Sequence, residues 1–319
     1  MTARFLPDLT VADYHHAEGP PRLSQSIAKE LVERSPWHAK RAMDRRAAER
    51  DDDAPEDDKG RDTMDRGTIL HALLLGTPSP AVVVADPKTG EPFDDFRTKA
   101  AKEQKAAIRA AGKIPVIGRK VEPVLRLADR IRDGLFNEHG IDLTGDSELA
   151  VEWTERASDG TPVPCRGMLD HWLAPGDKLP TIYDVKIWQS ANPRVLVRKV
   201  HDMGVDSQAG AYTRAVGAVH PELAGRVRFV TLVCEVGTGL VTPIVFGGSL
   251  RQVGKMRWRR AIDMWARCSA LNDWPGYTRG EMMIDAPEWM IAAEIDAAQN
   301  SDDLRRFLPA EEEDDNDDK

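Results

Sequence analysis

The spacing of apolar side chains changes near residue 148 of this 319-residue chain. Before that point it is helical, and the segments that share it are 24–50, 63–76, 94–111 and 118–138. The first segment predicts two short helices, because Pro36 disfavours helix in the residue before it. The second predicts a buried helix that carries His71 and ends at Gly76.

From Glu148 onward the chain alternates with the period of β-strands. The stretches ELAVEWTE, CRGMLDHWLA and TIYDVKIW predict three consecutive strands, and RVRFVTLVCEV with GLVTPIVF predicts a further pair. Helical spacing returns at 192–202, at 206–218 and over a long segment, 248–271. This order predicts an α/β fold in which a mixed central sheet is flanked by helices.

The charges of the chain are unevenly distributed between two acidic tracts and a mildly basic remainder. The formal net charge is -9, but the tracts 49–58 and 311–319 each carry a net charge of -6, which leaves +3 elsewhere. Because blocks of like charge repel and cannot pack, we expect residues 50–61 to be a disordered loop and 309–319 a disordered tail. Residues 1–308 are expected to form a single domain.

Two basic clusters favour a polyanionic partner. Residues 97–120 hold eight Lys or Arg and one acid, and 251–260 hold five and no acid. Either cluster alone is typical of a solvated helix face, but two together favour nucleic acid. In the second cluster, Arg251, Lys255 and Arg257 are candidate DNA contacts, and Trp258 is a candidate for base stacking or for inward packing.

Other classes are disfavoured. No apolar run approaches the roughly 20 residues that span a bilayer, and the N-terminus lacks the features of a signal peptide. The three cysteines are scattered and form no CxxC pair, which disfavours a disulfide framework, a zinc site or an iron-sulfur cluster. We expect a protein of the cytoplasm.

Charged residues inside apolar strands indicate the chemistry. Asp170 lies in GMLDHW, and Asp184 and Lys186 lie in IYDVKIW. A buried charge without a partner or metal costs several kcal/mol, and the strand period places Asp184 and Lys186 on one face, about 6.6 Å apart. Two carboxylates can bind Mg²⁺, and a lysine can orient or deprotonate water and offset phosphoryl charge. This trio favours phosphodiester hydrolysis, although a structural salt bridge to Arg166 is an alternative for the acids.

In this order, the segments resemble the RecE-type exonucleases (exonuclease VIII) of the PD-(D/E)XK nuclease superfamily, in the branch that includes RecB-type nucleases. The similarity covers most of the chain, from LSQSIAKELVERSPWHAK through RGTILHALLLG, ELAVEW, CRGMLDHW, YDVKIW and QAGAY to LNDWPGY. It implies a PD-(D/E)XK nuclease core with an N-terminal helical elaboration. It also implies a Mg²⁺-dependent exonuclease that resects linear double-stranded DNA 5′ to 3′ in phage-type recombination.

The resemblance also implies residue roles. The implied metal ligands are His71, Glu148, Asp170, Asp184 and the carbonyl of Val185. Lys186 is the implied catalytic lysine, with His71, Asp170 and Asp184 as further catalytic residues, and Gln208 and Tyr212 are implied DNA contacts. Glu152, on the same strand face, is the alternative to Glu148. In relatives a small hydroxyl residue follows the lysine, whereas Ile187 and Trp188 follow it here.

Cofactor and partners follow from the same resemblance. It implies Mg²⁺, with Mn²⁺ as a substitute, double-stranded DNA ends as substrate, a RecT-like single-strand annealing protein as partner and a homo-oligomer. Two other functions stay open at this point. One is a RecB-like nuclease acting on single strands or flaps, and the other is a DNA-binding module with a degenerate site.

Overall fold

The computed structural model describes residues 3–15, 20–47, 58–176 and 178–300. The chain divides into two compact units, Met1–Tyr277 and Thr278–Lys319. The single domain expected over residues 1–308 stays a prediction. Residues 50–57 and 309–319, expected to be disordered, lie outside the described residues. The expectation for 58–61 was wrong, because these residues begin a helix.

The described part of the first unit contains both helices and strands. The helices are α1 (Val11–His15), α2 (Gln25–Lys29), α3 (Pro36–Ala47), α4 (Asp58–Leu75), α5 (Lys99–Ala110), α6 (Gly118–Asp133), α7 (Pro193–Asp202), α8 (Val205–Val219) and α9 (Gly248–Leu271). The strands are β1 (Arg4–Leu6), β2 (Ala81–Val83), β3 (Ile114–Val116), β4 (Asp146–Arg156), β5 (Pro162–Leu173), β6 (Thr181–Trp188), β7 (Arg228–Glu235) and β8 (Val241–Val245). The second unit contains α10 (Glu288–Asn300).

Six strands form the central sheet in the order β1-β4-β5-β6-β7-β8. The pair β6 and β7 is parallel, and the other neighbours are antiparallel. The predicted fold class, a mixed sheet flanked by helices, is confirmed. The predicted break at Pro36 is confirmed as well, since a π-helical turn over Glu30–Arg34 ends just before α3 begins.

Strand β6 lies at the centre of the sheet and is buried on both faces. Its Ile182 and Trp188 belong to the larger apolar core, to which α2, α3, α8 and α9 contribute. Its Tyr183 and Val185 belong to a second core, to which α4 and α6 contribute. A strand that contacts apolar layers on both sides explains why TIYDVKIW is almost continuously apolar, and why its two charges stand out.

No helix in the described part of the chain is long and apolar enough to cross a bilayer. Cys165, Cys234 and Cys268 are all buried, as small apolar side chains would be. Burial raises the pKa of Cys165 far above its ordinary value and that of Cys234 to about 12.

Helices α8 and α9 approach closely because glycines face each other at their crossing. A Cβ on Gly254 would lie 2.0 Å from the carbonyl oxygen of Asp206, and a Cβ on Gly210 would lie 3.0 Å from the backbone of Gly254. Backbone atoms cannot move aside as a flexible side chain can. The position of α8 on the sheet therefore depends on the absence of a side chain at residue 254.

We expect Gly254→Ala to lower the free energy of unfolding by about 1 to 3 kcal/mol, because the added methyl group forces α8 and α9 apart. This loss outweighs the roughly 1 kcal/mol by which alanine favours a helix over glycine. Urea denaturation of the purified variant measures the change.

The matched control is Gly248→Ala in the first turn of the same helix, where a Cβ meets nothing within 4 Å. Its stability should equal or slightly exceed that of the wild type. Equal stability of the Gly254→Ala variant would contradict the close crossing.

Candidate active site

The candidate site lies where strands β5 and β6 separate. Their ladder pairs His171 with Tyr183 and continues to Leu173 and Thr181, and the next facing positions are Asp170 and Asp184. There the Asp170 carboxylate accepts a hydrogen bond from the backbone N–H of Val185 at 2.8 Å. At this point a hydrogen bond to a side chain takes the place of a backbone hydrogen bond between the strands. The separation of the strands gives room for both carboxylates.

The Asp184 carboxylate is almost completely buried, with 1% of the residue exposed. Its Oδ1 accepts hydrogen bonds from Lys186 Nζ at 2.5 Å and from Gln208 Nε2 at 2.7 Å. Its Oδ2 is buried and has no hydrogen-bond partner among the described residues. One oxygen is therefore fully engaged, while the other is enclosed and accepts no hydrogen bond from the described residues.

Helix α4 brings His71 to the same site from the second core. Its Nε2 lies 3.2 Å from Asp170 Oδ2. Burial opposes the charged form of His71, but the hydrogen bond and charge of Asp170 outweigh it and raise the pKa of His71. The predicted meeting of His71, Asp170, Asp184 and Lys186 is therefore present in the structure.

Helix α8 supplies Gln208 and Tyr212, and both are buried at 7% exposure. The Tyr212 ring packs on Gly167 of β5, where a Cβ would lie 2.6 Å from Cε1. Burial raises the pKa of Tyr212 well above its ordinary value. The family resemblance implies DNA contacts for this pair, but the structure places both side chains inside, where Gln208 binds Asp184.

Glu148 lies opposite Asp170 on β4, because the register pairs Ser147 with His171 and Leu149 with Leu169. Its φ is 51°, a left-handed conformation that strains a non-glycine residue and is often found at functional sites. Burial raises the pKa of Glu148, although His71 opposes the shift.

The alternative residue, Glu152, lies four positions further along β4, about 13 Å from Glu148. It forms salt bridges with Arg22 at 3.3 Å and with Arg4 at 3.5 Å. Glu148 is therefore the glutamate of this strand that lies beside Asp170 and His71.

The surroundings of Asp170 and Asp184 shift the pKa values of the two carboxyl groups in opposite directions. Burial opposes ionisation of both, but His71 and Lys186 outweigh it at Asp170 and lower its pKa. At Asp184, burial and the charge of Asp170 exceed the effect of Lys186 and raise the pKa. Burial also opposes the charge on Lys186, yet Asp184 and Asp170 raise its pKa. Lys186 is therefore an ammonium ion suited to offsetting negative charge.

The predicted DNA contacts on α9 have different environments. Arg251 and Lys255 are exposed. The side chain of Arg257 is only 12% exposed; it binds Asp206 at 2.8 Å and also pairs with Glu33. Arg257 is therefore part of an internal ion cluster, contrary to its predicted position on a DNA-binding surface.

Trp258 is buried as well, and its indole N–H donates to Glu155 Oε1 at 3.3 Å. It cannot stack on a base in this structure. Arg166, the alternative partner of the aspartates, instead donates to the carbonyl of Tyr14 at 2.9 Å and stacks on that ring.

Sequence reasoning missed Asp206, which is completely buried. It accepts hydrogen bonds from Arg257 and from the backbone N–H of Ser207, and it lies 3.0 Å from His201 Nδ1. These contacts anchor the first turn of α8, just before Gln208. The available signal was a single acid in the first turn of a helix, which is too common to indicate burial.

The unpartnered Oδ2 of Asp184 and the nearby carboxylates of Asp170 and Glu148 form an oxygen-rich set of the kind that Mg²⁺ prefers. Within the described ranges, no group of three or more His, Cys, Asp or Glu side chains already has the spacing of a metal site. The carboxylate oxygens are therefore the kind of ligand that a hard cation takes. In this structure Asp170 contacts His71, and Asp184 contacts Lys186.

Comparison with known proteins supports the fold. No protein-family model matches the chain, and no curated protein matches it significantly. Among solved structures, it is similar to a protein described as a putative exonuclease from Eubacterium rectale. The TM-score is 0.53 at 13% sequence identity, over 89% of this chain and 98% of that one. The two proteins share a fold.

We expect Asp170→Asn to lower the pKa of His71 below its ordinary value of about 6.5. The substitution removes the carboxylate charge that raises this pKa, whereas burial and the Lys186 charge continue to lower it. An NMR titration of the histidine ring signals, without divalent metal, measures the shift. Asp44→Asn, at a surface position on α3, is the control, and an unchanged His71 pKa in Asp170→Asn would contradict the assigned contact.

Proposed function

We propose that this protein is a metal-dependent deoxyribonuclease with a PD-(D/E)XK-type site, and that it acts as an exonuclease on linear double-stranded DNA. The observation that carries the proposal is the meeting of Asp170, Asp184 and Lys186 where β5 and β6 separate, with one buried Asp184 oxygen left unpartnered. The shared fold with a putative exonuclease supports the same class of activity.

Each side chain has a defined part in this proposal. Asp184, Asp170 and Glu148 would hold a divalent cation, together with His71 and the carbonyl of Val185 as the family resemblance implies. When bound, Mg²⁺ or Mn²⁺ would supply charge stabilisation at the phosphoryl oxygens. Lys186 keeps its proton, orients the attacking water and offsets charge that develops on the phosphate.

The remaining parts of the site act by position. Gln208 donates a hydrogen bond to Oδ1 of Asp184. This contact fixes the orientation of the carboxylate and therefore also the position of Oδ2. The Tyr212 ring fills the space above Gly167 of β5.

Substrate and partners are proposed on the resemblance to RecE-type exonucleases. The substrate is the end of a DNA duplex, one strand of which is removed 5′ to 3′ during phage-type recombination. A RecT-like annealing protein would receive the exposed strand, and a homo-oligomer would hold the duplex.

We expect Asp184→Asn and Lys186→Met each to reduce cleavage of linear duplex DNA by about a thousand-fold or more, because each removes charge at the reacting phosphate. The measurement is release of labelled products from a duplex labelled at one 5′ end, with and without Mg²⁺. Closed circular DNA tests the requirement for an end.

The matched controls are Asp44→Asn and Lys40→Met, which neutralise a salt bridge on the exposed face of α3. They should cleave as the wild type does, and all four variants should unfold cooperatively. Undiminished cleavage by either site variant would remove the proposed site.

We expect Gln208→Leu to lower kcat about tenfold with little change in KM, because Gln208 positions Asp184 rather than contacting DNA. Steady-state kinetics on the linear duplex separate the two parameters. A raised KM with an unchanged kcat would instead support the DNA contact that the sequence predicted.

A catalytically degenerate DNA-binding module is the second candidate. The contacts that favour it are Lys186 on Asp184 and His71 on Asp170, since each carboxylate already has a cationic or hydrogen-bonding partner. DNA binding without cleavage in either Mg²⁺ or Mn²⁺ would select this candidate. Faster cleavage of single strands or flaps than of blunt duplex would select a RecB-like nuclease.

A further inference from the structure

A cavity of about 990 Å³ lies at the carboxyl ends of β6 and β7. Gln189, which follows β6, and Val236 and Gly237, which follow β7, form part of its lining. Crevices at the carboxyl ends of neighbouring parallel strands are common ligand sites in α/β proteins. Gln189 is three residues beyond Lys186, so their Cα atoms lie within about 11 Å of each other. The cavity therefore lies beyond the end of the strand that carries Asp184 and Lys186.

The charged part of the lining favours an anion. Four cationic side chains and two carboxylates line the cavity, and the carboxylates are already paired, Asp62 with Lys120 and Asp65 with Arg109. Within the described ranges, Arg66 and Arg119 form no salt bridge, although Arg119 lies close enough to Asp95 for its charge to act on that carboxylate. Two guanidinium groups are thus available to bind a phosphate, for which their planar geometry is suited.

Arg66 belongs to the charged part of this lining. Its Nε is buried and has no hydrogen-bond partner among the described residues. A buried donor without a partner is costly, and a ligand oxygen would reach this atom only if neighbouring side chains moved. Arg66 therefore contributes through its place in the cavity lining. The first turn of α6 belongs to the same lining, and its N-cap residue, Ile117, has no side chain that caps the helix. The helix end therefore adds partial positive charge beside Arg119.

The rest of the lining is mainly apolar, in contrast to the charged part, and this limits the class of ligand that fits the cavity. It includes the apolar residues Ile69, Phe96, Ile114, Val116, Ile117 and Val124, whereas Thr63 and Gln189 are polar. The ammonium group of Lys105 lies 4.8 Å from the centre of the Phe96 ring. An unstacked base can lie against such a surface, whereas the bases of a duplex are stacked and would not reach it.

We infer that this cavity binds a short single-stranded stretch of DNA, through a phosphodiester group at Arg66 and Arg119 and an unstacked base at the apolar wall. The choice of DNA rests on the proposed function. Strand separation would then occur next to the site of cleavage, with one strand held in the cavity while the other is cut.

The test is equilibrium binding of a fluorescein-labelled oligothymidylate of about 8 nucleotides, a length within the range of single-strand site sizes. Fluorescence anisotropy is measured with the full chain in EDTA, where metal-dependent cleavage does not occur. Arg66→Gln and Arg119→Gln should each raise Kd about tenfold, since each removes a charge-assisted hydrogen bond. Phe96→Leu should raise Kd without changing the charge.

Arg126→Gln is the matched control, because Arg126 lies on α6, is 63% exposed and pairs with Glu122 outside the cavity. It should leave Kd unchanged. Arg119 is exposed, so Arg119→Gln remains informative if Arg66→Gln does not fold. Unlabelled blunt duplex, thymidine 5′-monophosphate and inorganic phosphate serve as competitors.

Weaker competition by all three than by unlabelled oligothymidylate supports the inference. An unchanged Kd in Arg119→Gln, or an equal loss in Arg126→Gln, would overturn it. Stronger competition by duplex, or equal competition by the mononucleotide, would overturn it in favour of a duplex groove or a free-nucleotide site. If the wild type cleaves DNA but the cavity variants bind oligothymidylate with unchanged Kd, the cavity inference is rejected and the nuclease proposal stands. If the cavity variants weaken binding but the wild type does not cleave DNA, the nuclease proposal is rejected and the binding site stands.

Discussion

The burial of the Asp184 carboxylate at the centre of the sheet determines what the surrounding elements must provide. An uncompensated charge there would cost several kcal/mol. Lys186 on the same strand and Gln208 on α8 both donate to one of its oxygens. The contact with Gln208 requires α8 to lie close to the sheet, and α8 is held in place by its tight crossing with α9 at Gly254. A charge in the sheet therefore depends on a glycine in the last helix of the first unit.

The site also joins the two apolar layers that cover the sheet. His71 comes from α4, whose Leu70 and Leu74 belong to one core, and Gln208 comes from α8, whose Ala211 and Val216 belong to the other. The separation of β5 from β6 at Asp170 and Asp184 is where side chains from both layers meet. If one layer moved relative to the sheet, either the contacts of His71 or those of Gln208 would change while the others stayed the same. The charges in the site would then no longer be compensated as they are now.

Much of the fold could be predicted from the sequence, because periodicity, proline and glycine act locally. The long strands and the helices α3 to α9 were found at nearly their observed positions, whereas α10 was not predicted. Strand β6 was recognised by its two charges in an apolar segment. The short strands β1, β2 and β3 were missed, since three residues carry too little pattern. The burial of Arg257 was also missed, because its partners Asp206 and Glu33 are remote in sequence and only tertiary structure brings them together. Likewise, the inward positions of Gln208 and Tyr212 follow from helix packing rather than from their i, i+4 spacing.

The parallel pairing of β6 with β7 has a consequence for the order of folding. Strands β4, β5 and β6 follow one another in the chain and pair locally, whereas β7 reaches β6 only after a crossover that spans residues 189–227. Closing this long connection costs chain entropy before the pairing is gained, so it is expected to come late. Because α8 lies within the crossover, Gln208 meets Asp184 at that same late step. A chain still emerging from the ribosome would thus hold its acidic residues without the assembled site, and would acquire that site only as folding is completed.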